Sequence, residues 1–278
     1  MARALMGGGV RAERAYELAL RVERDLVAHG QSSVDFERLH ELAVETLGID
    51  EGARAVRRLR RFRDLQDLDV PIILLVGGGT GTGKSTVGTE AAHRLGITRV
   101  TSTDFVRQTM RAFFSKEFMP SIHYSSFEAG DAIAGDWPDR LVGGFVEQTR
   151  NVLVGVRAAL DRALQEGLSM VIEGVHLVPG MLPTALERTV LVQCVLAVED
   201  EDAHARHFWI RDSASEGVRP LGKYLERFGD IRRIQRFLVE RARDVGVPVV
   251  ENADVERSVG AVLELVHLAA ERPEVAPA

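Results

Sequence analysis

The chain lacks several features that define other protein classes. Its 278 residues include one cysteine, Cys194, so no disulfide can form within one chain, as expected of a cytoplasmic protein. Cys194 lies in an apolar run, and we expect it to pack as a small apolar residue. No apolar run approaches the roughly 18 residues of a membrane-spanning helix. These shortages exclude a disulfide scaffold and predict a protein with no membrane segment.

Positive charge is also in short supply. Lys and Arg number 35 against 41 Asp and Glu, which gives a net charge of −6. Aromatic residues make up 6% of the chain. Nucleic-acid-binding proteins are usually basic, and many set aromatic side chains in a basic groove. The composition therefore argues against nucleic acid as a partner and leaves a homo-oligomer open.

A glycine-rich segment at 78–85 carries the strongest functional signal. It reads Gly-Gly-Thr-Gly-Thr-Gly-Lys-Ser and fits the phosphate-binding pattern G-x-x-x-x-G-K-[ST]. An apolar run, Ile72–Val76, precedes it, and a helical stretch follows. Because glycines let backbone N–H groups approach phosphate oxygens, we predict that ATP binds here. The predicted nucleotide contacts are Gly78, Gly79, Thr80, Gly81, Thr82, Gly83, Lys84, Ser85 and Thr86.

From Pro71 onward, strand-like runs alternate with helical ones. The predicted strands are Ile72–Val76, Arg99–Ser102, Ser169–Ile172, Leu191–Val198 and Pro248–Glu251. The predicted helices are 84–95, 105–113, 139–166, 220–227, 229–245 and 255–271. Such alternation predicts an α/β protein with a parallel sheet flanked by helices. Together with the glycine-rich segment at 78–85, it leads us to expect a P-loop NTPase or kinase fold. We assign this domain to residues 70–278.

Residues 1–69 differ from the rest and predict a small helical domain. The first predicted helix ends at Gly30, the second follows Ser33, and the third covers Glu51–Gln66. The residues that recur at helical spacing in the first helix are Tyr16, Ala19, Leu20, Glu23, Leu26 and Val27, all apolar except Glu23. The third helix is rich in arginine. Its arginines form either a solvated face or a surface for an anion.

An acidic strand end supplies the expected magnesium site. The apolar run that begins at Met170 ends in Glu173, which is followed by Gly174. An acidic residue at this position helps to hold Mg²⁺ in nucleotide-binding proteins of this type. We predict that Glu173 and the Ser85 hydroxyl hold Mg²⁺. Lys84 is expected to contact the β- and γ-phosphates, and Gly174 to let a substrate approach closely.

The residues after the second predicted strand are suited to a phosphate acceptor. Asp104, Arg107 and Arg111 have offsets of 0, 3 and 7, so they share one helix face. Acceptor sites of such sheets lie at the carboxyl ends of strands. Asp104 is suited to orient or deprotonate an acceptor hydroxyl, and the arginines to hold an anionic acceptor. The alternative is that Asp104 is only a helix N-cap and the arginines are surface charges.

Two further segments carry candidate acceptor ligands. Residues 121–127 form a predicted loop that either lines an acceptor pocket or caps the next helix. Its candidate ligands are His123, Tyr124, Ser125 and Ser126. His176 follows Glu173 and is as compatible with a ligand of the acceptor phosphate as with a buried loop histidine.

Residues 204–220 are expected to form a lid. Small-molecule kinases of this architecture close a lid that brings arginines to the transferring phosphoryl group. Arg211 and Arg219 flank a short polar segment, 212–217, that suits the lid tip. We take these two arginines as candidate catalytic residues. The alternative for most cations of this region is a solvated surface.

Several of these segments together resemble the 2-phosphoglycerate kinase family of archaeal type. The resembling segments are Ile72–Thr86, Thr101–Arg111, Ile122–Phe127, Val171–Gly180 and Arg219–Asn252. They span nearly all of residues 71–252. The sequences EGVHLVPG and HYSSF within them are far more specific than the P-loop, which many nucleotide-binding proteins share. Residues 15–69 are similar to the later helices of an ATP-cone, although the basic opening strands of a cone are not evident.

The resemblance implies phosphoryl transfer from ATP, with Mg²⁺, to the 3-hydroxyl group of 2-phosphoglycerate. The product would be 2,3-bisphosphoglycerate. The residues themselves indicate only a small anionic acceptor. Two alternatives stay open from the residues alone. One is a kinase for another small acceptor, such as a sugar, a sugar phosphate or a glycerate derivative. The other is a non-catalytic nucleotide-binding regulator.

Overall fold

A computed structural model describes residues 1–7, 10–214 and 221–271 of the chain. The α-helices are α1 (Ala2–Gly7), α2 (Ala12–His29), α3 (Phe36–Leu47), α4 (Ile49–Asp67), α5 (Lys84–Leu95), α6 (Thr103–Phe113), α7 (Arg140–Gln165), α8 (Glu201–Ala214), α9 (Leu221–Glu226), α10 (Phe228–Asp244) and α11 (Val255–Ala270). The strands are β1 (Ile72–Gly78), β2 (Val100–Ser102), β3 (Met170–Glu173), β4 (Val190–Ala197) and β5 (Val249–Glu251). Short 3₁₀ helices lie at Pro120–His123 and Ser126–Ala132.

The strands form one sheet in the order β2-β3-β1-β4-β5, and every pairing is parallel. This confirms the predicted α/β class, because helices connect β1 to β2, β2 to β3 and β4 to β5, while residues 174–189 connect β3 to β4 without a helix. The strand β1 lies in the middle and pairs with β3 on one side and β4 on the other. Parallel strands carry their carboxyl ends to one edge of the sheet, so the ends of all five strands lie at that edge.

Helices cover both faces of the sheet, and β1 shows why. Its side chains alternate between two cores, as the period of a strand requires. Leu74 packs in one core with Val87 of α5 and Val262 of α11. Leu75 packs in the other with Val152 and neighbouring residues of α7. An all-apolar strand is therefore buried on both faces, as expected for the centre of a parallel sheet.

The single cysteine behaves as the sequence predicts. Cys194 of β4 is buried in the core that also holds Leu74 and Val76. Burial raises the pKa of its thiol to about 12, so the thiol is neutral and unreactive at physiological pH. In the described part of the chain, no helix combines the length and the apolar character needed to cross a membrane.

The helices α1–α4 share a hydrophobic core of their own. Its fully buried members include Leu5 of α1, Leu18 of α2 and Leu42 of α3. The guanidinium of Arg61 on α4 joins this region to α11 through Glu264, 2.8 Å away, and to Glu271, 2.7 Å away. A separate core is consistent with the predicted N-terminal domain, and its assignment as a domain stays a prediction.

The prediction of which face of α2 is buried is wrong in part. Tyr16, Leu20 and Val27 are exposed, and Val27 is 77% exposed. The helix instead buries Ala15, Leu18 and Val22. Two apolar stripes run along this helix, and both have helical spacing. Periodicity alone does not say which stripe meets the neighbouring helices, so the sequence pattern could not choose between them.

Other differences concern element boundaries. The helices α1 and α8 were not among the predicted elements. The predicted loop at 121–127 contains parts of the two 3₁₀ helices. The predicted strand ends lie within about two residues of the observed ones, the usual margin for boundaries.

The central position of β1 leads to a prediction about the stability of the fold. We expect Leu75→Ala to lower the free energy of unfolding by about 2–5 kcal/mol, because it removes a fully buried side chain and leaves a cavity. The matched control is Leu20→Ala on the exposed side of α2, with an expected change within about 0.5 kcal/mol. Urea denaturation measures both. Equal losses in the two variants would contradict the placement of β1 at the centre of the fold.

Candidate active site

The predicted P-loop connects β1 to α5 at the carboxyl edge of the sheet. Gly81 and Gly83 have φ values of 85° and 83°, in the left-handed region that favours glycine. A Cβ atom at Gly83 would collide with the side-chain amide of Asn252, and one at Gly81 would lie 2.5 Å from the Phe208 ring. The first N–H groups of α5 have no partner within the helix. Loop and helix start are therefore built for an anion.

Lys84 begins α5, and its side chain turns back over the loop. Its Nζ atom donates to the carbonyl oxygen of Gly79, at 2.6 Å. Burial lowers the pKa of Lys84, and the nearby charges of Glu173 and Asp104 oppose this effect. The ammonium group is thus held at the loop by a carbonyl oxygen that a phosphate oxygen could replace.

Ser85 and Glu173 meet between the loop and the neighbouring strand. The Ser85 hydroxyl donates to Oε1 of Glu173, at 2.9 Å. Glu173 ends β3, where it is level with Val76 of β1 and with Ser102 of β2. A hydroxyl and a carboxylate are oxygen ligands of the kind that Mg²⁺ prefers. No group of three or more His, Cys, Asp or Glu side chains suited to a metal occurs among the described residues, so phosphate and water oxygens would complete the shell.

A cleft of about 700 Å³ opens above the P-loop. It is lined by Thr80, Gly81, Gly83, Lys84, Ser85, Thr86, Ser102, Asp104, Glu173, Gly174, Val175, His207, Asn252, Ala253, Asp254 and Val255. Most predicted nucleotide contacts therefore border one space, which we call the first cleft. The other three, Gly78, Gly79 and Thr82, do not line it. Thr82 is buried, with its hydroxyl donating to the Gly79 carbonyl oxygen at 2.9 Å.

A second cleft, of about 410 Å³, adjoins the first. It is lined by Thr80, Ser102, Asp104, Phe105, Arg107, Gln108, Ser125, Ser126, Phe127 and Tyr224. Thr80, Ser102 and Asp104 border both clefts. The carboxylate of Asp104 thus lies where the two spaces meet.

Asp104 is not the cap of its helix. The N-cap of α6 is Ser102, whose hydroxyl oxygen accepts the N–H of Phe105 at 3.0 Å. The Asp104 side chain is 66% exposed and faces the clefts. Desolvation alone would raise the pKa of Asp104, but the positive charges of Arg107 and Lys84 hold this pKa below its usual value. Asp104 is therefore a carboxylate at neutral pH.

The two predicted arginines of α6 have different positions. Arg107 is buried, and its Nη1 atom donates to the carbonyl oxygens of Ile122 and Tyr124, each at 2.9 Å. Arg111 is exposed, bonds Gln108 at 3.1 Å and lines neither cleft. The shared helix face is real, but α6 leads away from the sheet edge. The structure therefore does not bring Arg111 to the site.

Of the predicted acceptor ligands in segment 121–127, two line the second cleft and two do not. Ser125 and Ser126 line the second cleft. His123 lines neither cleft, and its Nε2 atom lies 2.9 Å from the Phe114 carbonyl oxygen. The Tyr124 ring lies under the ammonium group of Lys116, at 4.7 Å, and away from both clefts. These two side chains secure the segment and do not contact its open side.

His176 is fully buried and lines neither cleft, a position that favours the alternative of a buried loop histidine over a ligand of the acceptor. Its Nδ1 atom lies 2.8 Å from the Thr103 hydroxyl, and its Nε2 atom 2.9 Å from Oε1 of Gln148. The Gln148 amide donates to the carbonyl oxygens of Ser121 and Tyr124. Burial lowers the pKa of His176 to about 3, so the imidazole is neutral. The histidine joins the start of α6 to the 121–127 segment.

The neighbour that approaches Gly174 closely is a protein side chain, and the role of this glycine toward a substrate stays a prediction. Its φ is 155°, and a Cβ atom would collide with the Thr103 side chain. Gly174 also lines the first cleft. The structure does not describe the two predicted lid arginines. Arg219 lies outside the described residues, and so does the side chain of Arg211 in α8. Their roles stay predictions.

Three side chains that the sequence reasoning missed contact the P-loop. His204 and His207 of α8 lie 2.8 Å from the carbonyl oxygens of Thr80 and Gly81, respectively. Asn252 donates to the carbonyl oxygen of Thr82, at 2.9 Å. A signal for Asn252 was available, because it directly follows β5 and the carboxyl ends of all strands share one edge. For His204 and His207, the only sequence signal was their spacing of three residues, which places them on one face of a helix.

Comparison with known proteins shows relatives whose sequence similarity extends over nearly the whole chain. A protein of Thermococcus kodakarensis named 2-phosphoglycerate kinase is 38% identical over 265 residues, which cover 95% of this chain and 89% of that protein. A protein of the same name from Methanothermobacter thermautotrophicus is 36% identical over 268 residues, covering 95% and 87%. No protein-family model matches.

Among solved structures, a gluconokinase from Sinorhizobium meliloti 1021 is 16% identical, with a TM-score of 0.36. The match covers 70% of this chain and 93% of that chain. This likeness is too low to inform the fold or the function.

Because the imidazole of His176 is buried in its neutral form, we expect the folded protein to lose stability as the pH falls. Its pKa is lowered to about 3 in the folded protein, from 6.5, so between these values the unfolded chain binds a proton that the folded chain does not. Stability is therefore complete above the unfolded pKa and declines as the pH falls below it. Between about pH 6 and pH 5, we expect the wild type to lose about 1 kcal/mol more unfolding free energy than His176→Gln.

Urea denaturation at a series of pH values measures this difference. The control is His40→Gln, which changes an exposed histidine of α3 and should keep the wild-type pH dependence. If His176→Gln and the wild type lost stability in parallel, the neutral buried state of His176 would be wrong.

Proposed function

The chain belongs to the 2-phosphoglycerate kinase family, and from this premise we propose that it transfers the γ-phosphoryl group of ATP to 2-phosphoglycerate. The acceptor 3-hydroxyl oxygen forms the new P–O bond while the bond between Pγ and the bridging oxygen breaks. The products are ADP and 2,3-bisphosphoglycerate, and the hydroxyl proton goes to Asp104. The observation that carries the proposal is the meeting of two clefts at this carboxylate.

The first cleft is proposed to bind ATP. The loop N–H groups and the Lys84 ammonium are positioned for the phosphates. Ser85 and Glu173 would hold Mg²⁺, which, when bound, neutralises charge on the β- and γ-phosphates. The loop N–H groups and the Lys84 ammonium supply fixed positive charge where negative charge collects during transfer, and fixed charge needs no reorganisation at the moment of reaction.

Asp104 is proposed to orient the acceptor hydroxyl. With its pKa held below the usual value, the carboxylate accepts a hydrogen bond from the hydroxyl and is a weak base before transfer begins. The hydroxyl becomes more acidic as its oxygen bonds to phosphorus, and Asp104 then takes the proton. This order suits a transition state in which the phosphoryl group has largely left ATP.

The second cleft is proposed to bind the anionic acceptor. Nη2 of Arg107 bonds no acceptor among the described residues, whereas Nη1 and Nε of this guanidinium do. The ammonium group of Lys223 lies at the rim, 2.8 Å from Glu128 and 3.5 Å from the Ser125 hydroxyl. These cations and the hydroxyls of Ser125 and Ser126 suit a phosphate or carboxylate group. We keep Arg211 and Arg219 as proposed lid arginines for the transferring phosphoryl group.

An acceptor panel tests the proposal. Purified protein with ATP and Mg²⁺ is assayed for ADP release by a coupled reaction, in the presence of 2-phosphoglycerate, 3-phosphoglycerate, glycerate, a sugar or a sugar phosphate. We expect 2-phosphoglycerate to give the highest kcat/KM. Lys84→Ala should lower turnover by orders of magnitude and so exclude a contaminating kinase.

The panel also separates the alternatives. Stimulation by another acceptor alone would replace 2-phosphoglycerate as the substrate. ATP binding without stimulation by any acceptor would favour a nucleotide-binding regulator.

Substitution of Asp104 separates catalysis from binding. We expect Asp104→Asn to lower kcat by about a hundred- to ten-thousand-fold, because the amide cannot take the hydroxyl proton. The Kd for ATP, measured by calorimetry, should stay close to that of the wild type. Asp161→Asn, on the exposed side of α7, is the matched control. Equal losses of ATP affinity and turnover in Asp104→Asn would point to a structural role.

A further inference from the structure

Three consecutive carbonyl groups of the P-loop are each held by a side chain from elsewhere in the chain. His204, His207 and Asn252 contact the carbonyl oxygens of residues 80, 81 and 82, at 2.8, 2.8 and 2.9 Å. We call these three side chains the carbonyl clamp. The Gly79 carbonyl, which precedes this series, accepts from Lys84 and from Thr82.

The environment of His204 fixes which of its nitrogens carries the proton. Burial lowers the pKa of His204 to about 4, so the ring is neutral at physiological pH. Its Nδ1 atom lies 3.4 Å from Nη1 of Arg232, which can only donate. The proton is therefore on Nε2, which donates to the Thr80 carbonyl oxygen. His207 has the opposite arrangement, because its Nδ1 atom faces the Gly81 carbonyl oxygen.

The clamp residues are themselves held in place. The Asn252 carbonyl oxygen accepts the Ser258 hydroxyl at 2.8 Å, which directs its amide nitrogen to the loop. His204 stacks on Phe208 with ring centroids 5.5 Å apart, and Phe208 stacks on Tyr224 at 5.1 Å. Asn252 and His204 therefore each have a second partner that fixes the side chain against the loop.

Peptide geometry connects these bonds to the first cleft. In a trans peptide the C=O of one residue points opposite to the N–H of the next, and the described chain has no cis peptide bond. Carbonyls held by the clamp turn the following N–H groups the other way. Those of Gly81 and Gly83 donate to no acceptor among the described residues, and both glycines line the first cleft. The N–H of Thr82 lies 3.4 Å from the Gly79 carbonyl oxygen.

We propose that His204, His207 and Asn252 are positioning residues for ATP, and this rests on the proposed function. His204 and Asn252 hold the carbonyl groups of Thr80 and Thr82 and so present the following N–H groups, those of Gly81 and Gly83, to the phosphates. His207 holds the carbonyl group of Gly81 and so keeps the Thr82 N–H turned towards the Gly79 carbonyl oxygen, which fixes the loop between the two presented N–H groups. A peptide that turned over would direct a carbonyl oxygen at a phosphate oxygen and repel it. The clamp prevents this and does not take part in the chemical step.

The different donor atoms of the two histidines allow a crossed experiment. The glutamine amide nitrogen reaches about where Nε2 of histidine lies, and the asparagine amide nitrogen about where Nδ1 lies. His204→Gln and His207→Asn should therefore keep the Kd for a non-hydrolysable ATP analogue with Mg²⁺ close to that of the wild type. His204→Asn and His207→Gln should raise this Kd about tenfold, equivalent to about 1.4 kcal/mol. Calorimetry measures the Kd, and thermal denaturation checks that each variant is folded.

The outcomes distinguish this proposal from the proposed function. His40→Gln and His40→Asn, at the exposed histidine of α3, should bind the analogue as the wild type does. An opposite or equal order of Gln and Asn at positions 204 and 207 would overturn the clamp and leave the kinase proposal intact. Failure of the wild type to bind the analogue would overturn both. If the buried His204 variants are unstable, the order of the two His207 variants decides.

A third variant tests the other side of the clamp. Asn252→Asp keeps the shape and the acceptor for Ser258 but replaces the amide donor with a carboxylate, which repels the Thr82 carbonyl. We expect a rise of at least about tenfold in the Kd for the ATP analogue, while the KM for the acceptor stays within about twofold. A rise in both by the same factor would indicate a general structural role and contradict the positioning role.

Discussion

The parallel pairing of β1 with β3 and β4 is the constraint on which the rest of the structure depends. Because β1 lies between two strands and under helices on both faces, all of its residues are buried and its side chains must be apolar on both faces. This burial fixes the strand in the sheet. The parallel pairing also brings the P-loop, the end of β3 and the end of β5 to one edge. Ser85 can meet Glu173 because β3 is the neighbour of β1, and Asn252 can meet the loop because β5, which pairs with β4, ends at the same edge.

Much of the site could be predicted from the sequence because its signals are local. The P-loop pattern, the carboxylate at the end of β3 and the position of Asp104 after β2 each lie within a short segment next to a strand. A strand end and its direction then give the approximate position of the side chain. The family resemblance covered the same segments and is confirmed by relatives over 95% of the chain.

What the sequence did not predict depends on contacts between distant segments. The carbonyl clamp joins residues 124 to 170 positions apart. Its partners are backbone carbonyls, which carry no sequence signal at all. Arg111 and His176 show the converse: the residue type suits an acceptor, yet helix direction removes Arg111 from the site and burial removes His176. On α2, two stripes of equal period left the buried face undetermined.

The glycines of the site have a consequence for how the sequence can change. Gly83 lacks a side chain where the Asn252 amide approaches, and Gly174 lacks one where Thr103 approaches. A larger residue at either glycine would need a smaller or retracted partner. A changed partner alone does not remove the reason for the glycine, because Gly83 and Gly174 also have φ values of 83° and 155°, which other residues rarely adopt. Each glycine is therefore fixed twice, by a neighbouring side chain and by its backbone conformation, and relatives should keep both glycines even where residue 252 or 103 differs.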